Sequence, residues 1–145
     1  MRTPVLFVVC TSAAFALGAL AASDKQMVVT PFADAKFAPV DPKNPGGARI
    51  AVLSGDPASG PSAMLMEFGK NTGRMHVHSS DYHLVVLEGT MKHTVPGQEE
   101  AAAPALGRGS YWFQPGNDPH ADTCLSEKCL MFVTWAGKRD ARLAE

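Results

Sequence analysis

Apolar and polar residues alternate over short runs along most of the chain, and no segment carries a convincing apolar repeat at helical spacing. Runs rich in β-branched and aromatic residues, punctuated by Gly, Pro and Asp, predict strands over 48–55 (ARIAVLSG), 62–68 (SAMLMEF), 75–78, 82–88 and 90–95. Further strands are expected at 110–114 (SYWFQ), 119–124 (PHADTC) and 129–137 (CLMFVTWAG). GDPASGP reads as a turn, Glu88-Gly89 as the reversal between two strands, and 98–107 as a variable loop with room for one short strand. Residues 22–47 form a Pro-rich extended arm in which Met27–Thr30 can add an edge strand. The polar tail 138–145 (KRDARLAE) is the only helical candidate and is expected to fray. The fold class is therefore all-β, with 48–137 as a single barrel.

Composition narrows the function classes. The 145 residues, 46% of them hydrophobic, suffice for one core and leave no room for a second domain. A net charge of −1 without a basic stripe argues against nucleic acid and for a small-molecule partner. The N-terminus, with Arg2, the apolar run VLFVVCTSAAFALGALA and small residues at Ala19 and Ala21, reads as a signal peptide over 1–21 that would take Cys10 with it. The mature protein is then expected in the periplasm or secreted, without a membrane anchor.

Export changes the reading of Cys124 and Cys129, because disulfides persist in oxidising compartments. The pair flanks LSEK, read as a loop between two strands. Residues facing each other across a hairpin have Cα atoms about 4.5–5.5 Å apart, a distance a disulfide can span. The alternative is a Cys124 thiol facing the pocket, four residues after His120.

Three histidines carry the candidate chemistry. His76 and His78 lie at i and i+2 in an extended segment, so both imidazoles point to one side, and His120 can complete the set from a second strand. Three imidazoles with open positions beside them describe a reactive metal site better than a sealed structural one.

The surrounding spacing resembles the two motifs of the cupin superfamily. Gly73, the His76–His78 pair and Gly89 follow the first, with Gly73 closer to the pair than usual. Gly109, Pro115 and His120 follow the second, in which Asn117 stands for a glycine and Cys124 for the final asparagine. The resemblance is closest to small single-domain cupins of the kind found in diketone-cleaving dioxygenases and in zinc-binding domains of anti-sigma factors. It implies a double-stranded β-helix, or jelly roll, with a divalent metal in its mouth, and an arm packed across a neighbouring subunit in a homodimer. Fold resemblance alone does not choose the reaction.

The glutamate that usually supplies a carboxylate ligand is absent. Tyr82 stands there if three spacer residues are counted, and His83 if four. Strand parity with the histidine pair puts Tyr82 inward as a pocket group, whereas a turn at Ser79-Ser80-Asp81 would shift the register and bring in His83. His93 and Gln114 are further pocket candidates. Met64, Met66 and Met75 are read as core filling rather than copper ligands, Tyr111, Trp112 and Phe113 as barrel core, and Arg74 and Lys92 as residues that could steer an anion.

The leading expectation is a metal-dependent, dioxygenase-like enzyme. His76, His78 and His120 hold iron(II), with zinc, manganese or nickel as alternatives, and Tyr82 exchanges a proton with a small oxygen-chelating substrate. A barrel that binds or senses a ligand without turning it over is the alternative. A fourth protein ligand and a blocked mouth would favour that alternative.

Overall fold

The computed structural model describes residues 27–71 and 73–144; the expected signal segment and Cys10 lie outside the described residues. Nine strands are described: β1 (Ala38–Pro39), β2 (Arg49–Gly55), β3 (Ser62–Asn71), β4 (His76–Val77), β5 (Tyr82–Glu88), β6 (Met91–Thr94), β7 (Tyr111–Gln114), β8 (Ala121–Trp135) and β9 (Arg142–Leu143). All pair antiparallel, and the helical content among the described residues is two single 3-10 turns, Phe32–Asp34 and Glu100–Ala102. The large sheet runs β1-β2-β3-β8-β5-β7 with β6 also on β8, and β4 and β9 form a separate ribbon.

β8 is the spine. One edge pairs with β3 from Trp135 opposite Ser62 to Cys124 opposite Asn71. The other pairs with β5, starting at Trp135 opposite Tyr82, and then with β6, from Cys124 opposite Met91 to Ala121 opposite Thr94. Because β5 and β6 are both antiparallel to β8, they run in the same direction. Glu88-Gly89 therefore bends the chain and does not reverse it, and the segments expected as two strands around LSEK are one bulged strand.

The two irregularities face each other. Gly89 has φ +85°, and a Cβ there would lie 2.4 Å from the Lys128 carbonyl oxygen. The Leu125 amide donates to Thr90 O at 2.9 Å, and the Thr90 amide donates to Ser126 Oγ at 3.0 Å. Cys124 and Cys129 are joined by a disulfide with Cα atoms 5.9 Å apart. Five steps of extended chain would cover about 17 Å, so the intervening residues bulge outward and the bridge closes the neck of the bulge rather than a hairpin.

Alternation supplies the core. Met64, Leu84, Val86, Met91, Trp112, Met131, Val133 and Trp135 point inward with Tyr82 and the disulfide. On β7 only Trp112 belongs to this core. Tyr111 and Phe113 are 56% and 46% exposed because period two turns them outward.

A smaller cluster on the outer face, Ala51, Leu65 and Leu130, is covered by Ala35 and Phe37 of the chain's own arm. The Arg49 guanidinium lies 5.7 Å from the Phe37 ring centroid. Anchoring at Ala35 and Phe37 brings Ala38–Pro39 alongside β2, so these residues form the edge strand in place of the expected Met27–Thr30. In the 98–107 loop, only Leu106 bridges, to Met91.

Close approach, more than backbone conformation, should make Gly89 irreplaceable. Gly97 has a similar φ of +79° but open space around it. Gly97→Ala should cost about 1 kcal/mol, the penalty for a left-handed residue. Gly89→Ala should cost more than about 2 kcal/mol because the overlap adds to it. Denaturant unfolding of both variants measures the difference.

Candidate metal centre

His76 and His120 face each other as a hydrogen-bonded antiparallel pair, with N–H to O distances of 2.8 and 2.9 Å in the two directions. This clamp joins the segments that carry the two motifs. His78, two residues on, shares the inward face. The ligand atoms of His76, His78 and His120 lie within 4.8 Å of one another, with His120 fully buried.

The outer nitrogen of each ring is occupied by a main-chain carbonyl. His76 Nδ1 meets Arg74 O at 2.8 Å, His120 Nδ1 meets Asp118 O at 3.1 Å, and His78 Nδ1 meets Asp140 O. A carbonyl only accepts, so each Nδ1 carries the proton and each Nε2 keeps its lone pair. Two of these lone pairs, on His76 and His78, are 3.2 Å apart. Such crowding is repulsive in a neutral pair and favourable around a cation, which is the donor set a divalent metal requires. Burial pushes the His78 pKa down to about 4, and the nearby His76, His120 and Arg139 add to that against the Asp140 hydrogen bond. Burial also lowers the His120 pKa, which keeps His78 and His120 neutral near physiological pH.

The tail that supplies Asp140 neither frays nor forms a helix. β9 pairs with β4, Leu143 opposite His76. The Asp140 carboxylate accepts from the Ser79 amide and hydroxyl, both at 2.8 Å. These partners satisfy polar groups that in isolation would be left to water.

Tyr82 points inward. Its hydroxyl lies 3.1 Å from His120 Nε2 and 3.4 Å from Asp122 Oδ2, and accepts from Trp112 Nε1 at 3.4 Å. Burial, followed by the Asp122 charge, pushes its pKa far up, so the hydroxyl stays protonated and can donate a hydrogen bond. His83 sits outside the barrel, with Nδ1 2.8 Å from the Tyr111 hydroxyl and its ring against Phe113. His93 lies behind the centre, with Nδ1 at 2.7 Å from Asp122 Oδ1 and Nε2 at 3.1 Å from Gln114 Oε1. The Gln114 amide nitrogen donates to Pro115 O and Asp118 O, which fixes that orientation. Both His93 nitrogens are engaged, leaving neither for an ion.

Asp122, which sequence reading missed, brings a carboxylate within 3.9 Å of His120 Nε2. Its signal was the His120-x-Asp122 spacing on a strand, the same argument that paired His76 with His78. Asn117 adopts φ +66° and so takes the part of the motif's glycine.

A cavity of about 560 Å³ opens over His76, His78, Tyr82 and Asp122, with Met66, Phe68, Leu84, Val133 and Trp135 as its apolar wall. Its size suits a small organic molecule. Arg74 lines it, whereas Lys92 donates to Glu100 O at 2.5 Å away from it. The cysteines do not line it, and their sulfurs are joined to each other.

Antiparallel strands closed around a mouth are the arrangement of the cupin, or jelly-roll, fold. An RmlC-like cupin from Shewanella frigidimarina NCIMB 400 superposes with a TM-score of 0.60 at 19% identity, over 77% of this chain and 91% of that one. The polyketide cyclase RemF from Streptomyces resistomycificus gives 0.63 at 21% identity, over 83% and 87%. The Fe(II) form of HppE gives 0.59 at 17% identity, over 78% and 62%. These likenesses establish the jelly-roll fold. Residues 31–135 match the family DUF4437, described as a domain of unknown function, and the chain belongs to that family. No curated protein matches the sequence.

A pH dependence follows from His78. The unfolded chain takes up a proton near the ordinary value of 6.5, whereas the folded protein resists until about 4. Between these values the unfolded state binds more protons, so stability rises with pH. The contribution is complete above about 6.5 and lost as pH falls through about 4. Thermal melts of metal-free protein from pH 7 to 4 should show a falling midpoint, with a shallower slope in His78→Gln.

Proposed function

We propose that the protein is an exported metal-dependent enzyme acting, with dioxygenase-type chemistry, on a small molecule that chelates a divalent ion through oxygen. The observation that carries this reading is the set of three Nε2 lone pairs held together by carbonyl locks on every Nδ1. Iron(II) is the metal put forward, with zinc, manganese and nickel also acceptable to imidazole. When bound by His76, His78 and His120, such an ion supplies a Lewis acid for the substrate's oxygens and, as iron(II), electrons for reaction with dioxygen.

The chain's own groups do the rest. Tyr82, kept protonated by burial, donates to a substrate oxygen that gains negative charge. The Trp112 N–H donates to that hydroxyl and holds it in place, and the substrate oxygen takes over from Asp122 as acceptor of its one proton. The apolar wall limits water beside the reacting atoms. Catalysis is favoured over binding alone because His83 and His93 are both committed elsewhere and the cavity is open at Tyr82. Export is supported by the Cys124–Cys129 disulfide and by the signal-like N-terminus, and places the protein in the periplasm or outside the cell. Exposed Met27, Val28, Val29 and Phe32 suit an arm that reaches a second copy in a homodimer.

Elemental analysis of mature protein, prepared without chelator or affinity metal, tests the centre. Near-stoichiometric metal is expected, lost in His76→Ala and His120→Ala. Tyr82→Phe should retain the metal while oxygen consumption with dicarbonyl or hydroxy acid substrates falls about a hundredfold or more. Absence of metal from every preparation, even after reconstitution, would sink the enzyme reading.

A further inference from the structure

The charge of the cavity wall is one-sided. Lys70, Arg74, Arg139 and Arg142 line it, against the single carboxylate of Asp122. That carboxylate is already engaged by His93 at 2.7 Å and approached by Tyr82. Lys70, Arg74 and Arg142 are exposed and solvated at the rim.

Arg139 is different. It lies in the C-terminal tail, which straps across β4 through β9, beside Asp140, and its Nε is buried with no hydrogen-bond partner among the described residues. None of the ion pairs among the described residues includes it. Burial pushes its pKa down, opposed by Asp140. An Nε–H withdrawn from water without an acceptor is unfavourable, and the planar fork of a guanidinium suits a carboxylate. The indole N–H of Trp135, also on the wall, likewise lacks an acceptor among the described residues. Positive charge is in excess here, and two N–H groups of lining residues have no acceptor among the described residues.

We propose that the cavity takes an organic carboxylate, with the anionic group at the Arg139 guanidinium and the apolar body along Phe68, Leu84, Val133 and Trp135. The inference rests on the cavity being the substrate's place and gives that substrate its class. The carboxylate at Arg139 is separate from the oxygens presented to the histidines. The ligand thus has an anionic end, an apolar middle and an oxygen-bearing reactive end.

The test uses 4-phenylbutanoate and its uncharged analogue 4-phenylbutanamide, titrated into mature protein without metal at low ionic strength. Emission is read from the protein's two tryptophans, of which Trp135 lines the cavity. The carboxylate should give a saturable change, and the amide should bind at least tenfold more weakly. Arg139→Gln, checked for folding by its thermal melt, should weaken the carboxylate at least tenfold and leave the amide unaffected. Equal binding of carboxylate and amide to the wild type, or no binding of the carboxylate, would overturn the proposal. Both probes are read without metal, so failure of the metal centre, detected by elemental analysis, is distinguishable from failure of anion recognition.

Discussion

Strand β8 is hydrogen-bonded along one edge to β3 and along the other to β5 and β6, and this double attachment sets the groups of the centre. The same strand carries Asp122 near one end and Trp135 at the other, and His120 immediately precedes it. A slip of one residue would turn Met131, Val133 and Trp135 out of the core and point Phe132 and Thr134 inward. Opposed bends at Gly89 and Leu125–Lys128, closed by the Cys124–Cys129 bridge, let the paired strands curve without losing register.

On that frame, the centre is prepared by main-chain groups more than by side chains. Three carbonyls, of Arg74, Asp118 and Asp140, select the tautomers, and burial holds His78 and His120 neutral. With no carboxylate where the cupin motif has one, three neutral imidazoles would leave the charge of an ion held there uncompensated by direct ligands and so strengthen it as a Lewis acid. Asp122 offsets part of that field from behind Tyr82 while keeping the tyrosine proton in place.

Much of this was legible in the residues. Period two placed His76 and His78 together and turned Tyr82 inward and His83 outward, and the order of motifs brought in His120. The disulfide pair was legible as a pair, but its setting was not. Glycine and polar residues accompany both a reversal and a bulge, and only the register against β3 and β6 separates the two. The strap was illegible for another reason. What Asp140 gives His78 is a main-chain carbonyl, which every residue possesses, so no residue type could announce it. Asp122 was hidden because no motif position calls for an acid there, and its place beside Tyr82 depends on the register of β8 against β5 and β6.

The position of Asp140 also fixes the order in which the centre can be assembled. His76, His78 and His120 all precede the strap in the chain, and the carbonyl that sets the His78 ring follows them. A chain emerging amino-terminus first exposes all three imidazoles while His78 is still free to present either nitrogen. The three-point geometry therefore comes into being only after the strap has emerged and laid itself against β4. The candidate donor set is thus a property of the completed chain, not of the segments that carry the histidines.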